Sequence, residues 1–305
     1  MPEELTGVGR GVTICHESFG DPADPPVLLV MGLGVQMIAW HEDFCRLLAG
    51  QGFYVTRFDN RDVGHSTHFD FPPPTTGQLL RRRFRPEQYG LEEMADDTAG
   101  LIEALDLAPV HLVGISMGGM VSQTLAARRP ELVRSFASIS SNTGSRLNGQ
   151  PAFGLYRHLL AGSPRDREEL VEQAARLFAL IGSRDLGVDI EDIRELAGRS
   201  YDRDRDPGGY GRQLGGITKT RNRTPMLRTI KAPTVVIHGT KDRLIKPSGG
   251  KATAKAIPGA KLVRIEGMGH DLPRAAWDRI IGEILGNAAR AAPDLVAVPA
   301  ALSTR

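Results

Sequence analysis

Val110-His111-Leu112-Val113-Gly114-Ile115-Ser116-Met117-Gly118-Gly119 is an apolar run that breaks into a G-x-S-x-G and opens onto a helix-like stretch reaching residue 129. A strand that hands a serine to a helix through so tight a turn forces that serine into a strained backbone conformation. Gly114 and Gly118 must then lack side chains for the turn to close. The helix N-terminus behind the serine offers oriented N–H groups and the positive end of a dipole where an oxyanion would form. A glycine-rich turn of no chemical consequence is the bland alternative; strand and helix on the correct sides favour Ser116 as a nucleophile.

Working outward, apolar runs at 26–31, 54–58, 135–140, 234–238 and 261–265 join the run at 110–114, with helical patterns at 40–51, 91–107, 119–129, 249–257 and 273–285 between and after them. Residues 11–19 alternate like an edge strand, and Gly7, Gly9 and Gly11 suggest a hairpin with a segment before it. Near-continuous apolar strands separated by helices predict an α/β fold: a mostly parallel eight-stranded sheet flanked by helices. The rhythm stops between 141 and 231, where amphipathic stretches at 167–181 and 190–196 appear without a convincing strand. A structureless loop of that length is improbable inside a compact domain. The expected organisation is therefore a core at 1–141 and 231–287 with a helical cap, 142–230, inserted after the sixth strand. Residues 202–211 (DRDRDPGGYG) read as a polar hinge within the cap, and the Ala- and Pro-rich tail at 288–305 is expected to be flexible.

A serine hydroxyl needs a base within hydrogen-bond reach. Of eight histidines, His270 stands in Glu266-Gly267-Met268-Gly269-His270-Asp271-Leu272-Pro273, on a loop just after the last apolar strand. His238 ends a strand, His111 lies inside one, and His16, His41, His65, His68 and His158 follow no late strand. The base needs a carboxylate to hold its tautomer. Asp242, in the loop Gly239-Thr240-Lys241-Asp242-Arg243 after the 234–238 strand, fits that role, with Glu266 a weaker competitor. The order Ser116, Asp242, His270 is that of α/β-hydrolases and differs from the chymotrypsin and subtilisin orders. Oxyanion donors are expected at the Met117 N–H, directly after the nucleophile, and at the Leu33 N–H in the loop Met31-Gly32-Leu33-Gly34.

Taken as a set, MGLG (31–34), DNRDVGHS (59–66), GISMGG (114–119), HGTKD (238–242) and GMGHDLP (267–273) resemble the serine esterase branch of the α/β-hydrolase superfamily, and are similar to the aclacinomycin methylesterase-like carboxylesterases. The resemblance covers roughly 10–140 and 230–286. It implies the α/β-hydrolase fold and a serine hydrolase with a Ser116, Asp242 and His270 triad, using neither a metal nor an organic cofactor. It also implies that Asp59 and Arg61 order the loop beside the site. Met31 stands where many relatives carry the His of an HG dipeptide, so Leu33 is assigned by position. The cap carries no motif of the family.

The chemistry this predicts is cleavage of carboxylic esters through an acyl-enzyme, with lipase and thioesterase activity open to the same machinery. Carbon–carbon bond hydrolysis, perhydrolysis and a non-catalytic ligand receptor with a lid-like cap are the alternatives. Epoxide hydrolases and haloalkane dehalogenases, which use aspartate at the position of Ser116, are disfavoured. The expected partner is a small, mostly apolar ester. With 38 Lys+Arg against 36 Asp+Glu and a net charge of +2, nucleic acid is not an expected partner. Cys15 and Cys45 are read as buried free thiols. Acidic residues in MPEEL, and apolar runs too short to span a bilayer, suggest a cytoplasmic protein without stable membrane insertion. Arg81, Arg82, Arg83 and Arg85 are read as a solvated face, with attraction to an anionic substrate or lipid as the alternative. Met94, Met117, Met120 and Met226 are read mainly as packing residues.

Overall fold

Along 26–30 the side chains Val27 and Leu29 belong to one buried apolar cluster and Leu28 and Val30 to another. A strand covered on both faces must be apolar at every position, which is why the central runs lack the alternation of a half-exposed sheet. The computed structural model describes residues 2–155, 164–204 and 206–291. Eight strands form one sheet: β1 (Glu4–Gly7), β2 (Thr13–Phe19), β3 (Pro26–Val30), β4 (Tyr54–Phe58), β5 (Val110–Ile115), β6 (Val133–Ile139), β7 (Thr234–Gly239) and β8 (Lys261–Ile265). Their order is β1-β2-β4-β3-β5-β6-β7-β8, with β1 and β2 antiparallel and every pairing from β4–β3 onward parallel.

Helices α1 (Glu42–Ala49), α2 (Thr76–Arg81), α3 (Leu91–Ala104) and α4 (Met117–Arg128) precede or follow the first strands. One face of the sheet packs Leu28, Val30 and Leu112 against Leu101 and Ile102 of α3 and Val121 and Leu125 of α4. The helix expected from 40 begins two residues later because the His41 side chain caps it, accepting from the Asp43 N–H at 3.1 Å. α4 begins earlier than its sequence pattern, directly after Ser116.

Between β6 and β7 the described residues contain helices and no strand: α5 (Arg167–Ile181), α6 (Ile190–Arg203), α7 (Gly209–Lys219) and the short α8 (Thr224–Leu227). Asp166 and Asp189 cap α5 and α6, accepting from Glu169 N–H at 2.9 Å and from Glu191 N–H at 2.9 Å. Leu227 of α8 and Ile230 are buried in the core cluster, so the segment's last turn is anchored in the main body. α9 (Ser248–Ala256) and α10 (Trp277–Ala289) complete the fold, and Ile280 and Ile284 of α10 close the second face with Phe44 and Leu48 of α1.

In the stretch read as a polar hinge, the described residues are pinned. Its ends belong to α6 and α7; between them Asp204 accepts from Asp206 N–H at 2.8 Å and from Gly64 N–H at 3.1 Å, while Asp206 meets His68 Nδ1 at 2.9 Å. Of the tail, residues up to 289 extend α10, and 292–305 lie outside the described residues, as does His158. Among the described residues no helix is long and apolar enough to cross a membrane.

The chain passes from β3 to β4 on one side and then to β5 on the other, so β3 and β5 flank a switch point. Loops leaving the carboxyl ends of such neighbours diverge and open a crevice. Because β3, β5, β7 and β8 run parallel, the loops holding Leu33, Ser116, Asp242 and His270 all emerge along that one edge.

Candidate active site

Ser116 leaves β5 with φ 54° and ψ −119°, a region that costs a non-glycine residue about 1–3 kcal/mol. The surroundings hold it there: its N–H donates to Ile139 O at 2.9 Å, and Ser141 Oγ donates to its carbonyl at 2.8 Å. The two glycines of the motif are sterically required. A Cβ on Gly114 would lie 2.5 Å from Gly118 O, and one on Gly118 would lie 2.1 Å from Val30 O. The strain is thus the consequence of threading a helix start against β3.

Ser116 Oγ lies 3.0 Å from His270 Nε2, and His270 Nδ1 lies 2.8 Å from Asp242 Oδ2. The other carboxylate oxygen, Asp242 Oδ1, accepts from the N–H groups of Leu244 at 2.9 Å and Ile245 at 2.8 Å. Burial pushes the Asp242 carboxyl up, yet the charge of His270 and the hydrogen bonds from His238 and His270 outweigh it and hold the group below the usual carboxylate range. An ionised carboxylate only accepts, so the network assigns the proton to His270 Nδ1 and leaves Nε2 open to take the serine proton.

The loop of His270 is fastened from the helical segment. His270 N–H donates to Ile181 O at 2.7 Å, Gly269 N–H donates to Ser183 Oγ at 2.7 Å, and Ser183 in turn bonds Asp271 through its hydroxyl and, at 3.1 Å, its N–H. Gly269 has no room for a side chain, since a Cβ would lie 2.3 Å from Ile181 O. His238, which sequence reasoning left as a strand residue, sits behind the acid: its Nε2 is 2.7 Å from Ile245 O and 3.4 Å from Asp242 Oδ2. The only sequence signal for it is its place four residues before Asp242, at the end of the same strand.

The loop after β3 lies against the serine, with a Cβ on Gly32 placed 3.3 Å from Ser116 Cβ. Leu33 is half-buried beside it, and Met117 begins α4. Neither the Leu33 nor the Met117 N–H meets an acceptor among the described residues.

Asp59 and Arg61 both order the neighbouring loop, but they do not pair with each other. The fully buried Asp59 accepts from Met37 N–H at 2.7 Å and His65 N–H at 3.1 Å and pairs with Arg203 of α6 at 2.9 Å. Arg61 pairs with Asp97 of α3 at 2.5 Å, its guanidinium lying 5.0 Å from the Phe69 ring centroid and 4.9 Å from that of Tyr89. Glu266 is exposed, as are Arg81, Arg82, Arg83 and Arg85. Met94, Met117 and Met120 are buried in the core and Met226 is half-buried. Burial pushes the thiols of Cys15 and Cys45 up to about 12, which makes them poor nucleophiles. Two side-chain clusters have metal-like compositions, Glu3/Cys15/His65 and Asp62/His68/Asp206. Arg203 already pairs with Glu3 at 2.8 Å, and Arg212 with Asp62 at 2.9 Å and with Asp206.

Comparison with known proteins bears on the fold. A family described as alpha/beta hydrolase fold matches residues 25–273. Rhodomycin D methylesterase DauP of Streptomyces sp. (strain C5) is 28% identical, over 90% of this chain and 94% of its own length. Rhodomycin D methylesterase DnrP of Streptomyces peucetius is 26% identical over the same shares. The solved structure of the enol-lactonase from Burkholderia xenovorans LB400 superimposes with a TM-score of 0.72 at 23% identity, over 94% of this chain and 99% of that one, a likeness of fold.

Proposed function

We propose that this chain, which belongs to the alpha/beta hydrolase fold family, is a serine hydrolase that cleaves a carboxylic ester through an acyl-enzyme. The observation that carries the reading is the unbroken relay of hydrogen bonds from Ser116 Oγ to His270 at 3.0 Å and from His270 to Asp242 at 2.8 Å. In the reaction His270 Nε2 takes the Ser116 proton as Oγ adds to the ester carbonyl, and Asp242 stabilises the imidazolium. The N–H groups of Met117 and Leu33 receive the oxyanion of the tetrahedral intermediate. Collapse breaks the ester C–O bond as His270 returns the proton to the leaving alcohol. Water then adds to the acyl-enzyme by the same proton path and releases the acid.

The segment 142–230 serves as the cap that encloses the acyl group or ring system, leaving the leaving alcohol nearest His270. The two Streptomyces relatives are named as methylesterases, which supports a methyl ester as the first substrate class to try. The test is steady-state hydrolysis of methyl esters and of p-nitrophenyl esters from acetate to palmitate, with Ser116→Ala beside the wild type. Loss of a triad serine costs about a million-fold in kcat. A folded Ser116→Ala protein retaining more than about a thousandth of the activity would remove Ser116 as nucleophile.

A further inference from the structure

Gln213, in the first turns of α7, is completely buried, and both ends of its amide are used. Its Oε1 accepts from Gly34 N–H at 2.7 Å and its Nε2 donates to Arg61 O at 2.7 Å. The two partners have opposite polarity, so the amide has one orientation that satisfies both.

The bond to Gly34 fixes the peptide plane next to Leu33. On the other side of Leu33, Asn60 Nδ2 donates to Met31 O at 3.0 Å. The loop is therefore held at 31 by Asn60 and at 34 by Gln213, with the Leu33 N–H between the anchors. Arg61, which receives the other end of Gln213, follows Asn60 in the chain, so the side chains close a ring joining the two loops and α7. Gly34 stands at φ +67°, and a Cβ there would lie 2.6 Å from the Tyr210 ring of the same helix. The helix thus seats against the loop at Gly34, and within the loop the peptide that carries the Leu33 N–H has its carbonyl, Gly32 O, accepting from Val35 N–H at 3.4 Å.

We propose that Gln213 is a positioning residue for the oxyanion hole: the helical segment, through this amide, sets the direction of the Leu33 N–H. The proposal rests on the esterase reading and deepens it. A donor serves a developing oxyanion only when fixed in advance, and displacements of about 1 Å can cost about a hundredfold. Gln213 makes no contact with the reacting atoms, so its effect falls on the transition state and spares ground-state binding.

The test compares wild type, Gln213→Met and Gln213→Glu on p-nitrophenyl acetate, with thermal melting to establish that each is folded. Gln213→Met keeps the bulk and removes both hydrogen bonds. It is expected to lower kcat about tenfold to a hundredfold with KM within about twofold, and to slow inactivation by a fluorophosphonate in proportion. Gln213→Glu keeps an acceptor for Gly34 N–H and is expected to recover at least threefold over Met. Amide hydrogen exchange is read on the same proteins, with Gly34 exchanging faster in Gln213→Met. A Met variant with unchanged kcat, a change confined to KM, a Glu variant no better than Met, or unchanged exchange at Gly34 overturns the proposal. If the wild type turns over no ester, the esterase reading falls and the oxyanion role with it, whereas the exchange comparison still decides whether Gln213 holds the loop.

Discussion

The strand-end loops and the helical segment between β6 and β7 contribute to the same crevice in different ways. The loops carry the hydrogen-bonded set Ser116, Asp242 and His270, each within five residues of the end of a parallel strand. The helical segment supplies none of these, yet Ile181, Ser183 and Gln213 fasten the His270 loop and the Leu33 loop, and Arg203 neutralises the buried Asp59. The groups proposed to react thus come from the framework with the repeating pattern, and the loops that hold them are fastened by the part without one.

On the framework side, Asp242→Asn is expected to have the largest effect. It preserves shape but removes the charge and allows the wrong tautomer of His270, so kcat is expected to fall by about ten-thousandfold with little change in KM. On the side of the helical segment, Arg203→Met would leave Asp59 buried and unpaired. Unfolding by urea should report a loss of about 3–5 kcal/mol, recovered in large part by adding Asp59→Asn. An undiminished midpoint in the single variant would mean the segment is not tied to the core through this pair.

A smaller effect concerns acid. Asp242 is held below its ordinary value in the folded protein by His270 and His238, against the upward push of burial, so on acidification the unfolded chain takes up that proton first. The stability contributed by the ionised group is complete above the usual carboxylate range and is lost as pH falls toward the folded value. Melting temperature measured from pH 6 to pH 3 should therefore fall less steeply for Asp242→Asn than for wild type. The smallest expected effect is the control within the helical segment: the half-exposed Arg194–Glu172 pair, 3.0 Å apart, joins α6 to α5. Glu172→Gln should change stability by no more than about 0.5 kcal/mol and leave kcat alone; a large loss of activity would show that the alignment depends on the segment as a whole and not on named contacts.

The strand runs were legible because burial on both faces leaves an uninterrupted apolar signature, and the helix ends were off by a few residues because capping side chains such as His41 decide them. The serine turn was legible because a G-x-S-x-G between a strand and a helix is a short, contiguous pattern, although the space at Gly118 is closed by Val30 of β3. Asp242 and His270 followed from their place after late strands, since parallel strands deliver their carboxyl ends to one edge.

What the sequence carried, then, was the apolar strand runs, the serine turn and the candidate residues just beyond the late strands. The tertiary structure alone decided that Asp59 pairs with Arg203, 144 positions away, and not with Arg61, that Asp204 and Asp206 are pinned to Gly64 and His68, and that Gln213 meets Gly34 across 179 positions. Such contacts have no spacing rule. A hydrogen bond between a helix and a loop forms only where packing brings a donor and an acceptor within about 3 Å, and that distance is set by how the whole helical segment seats on the sheet.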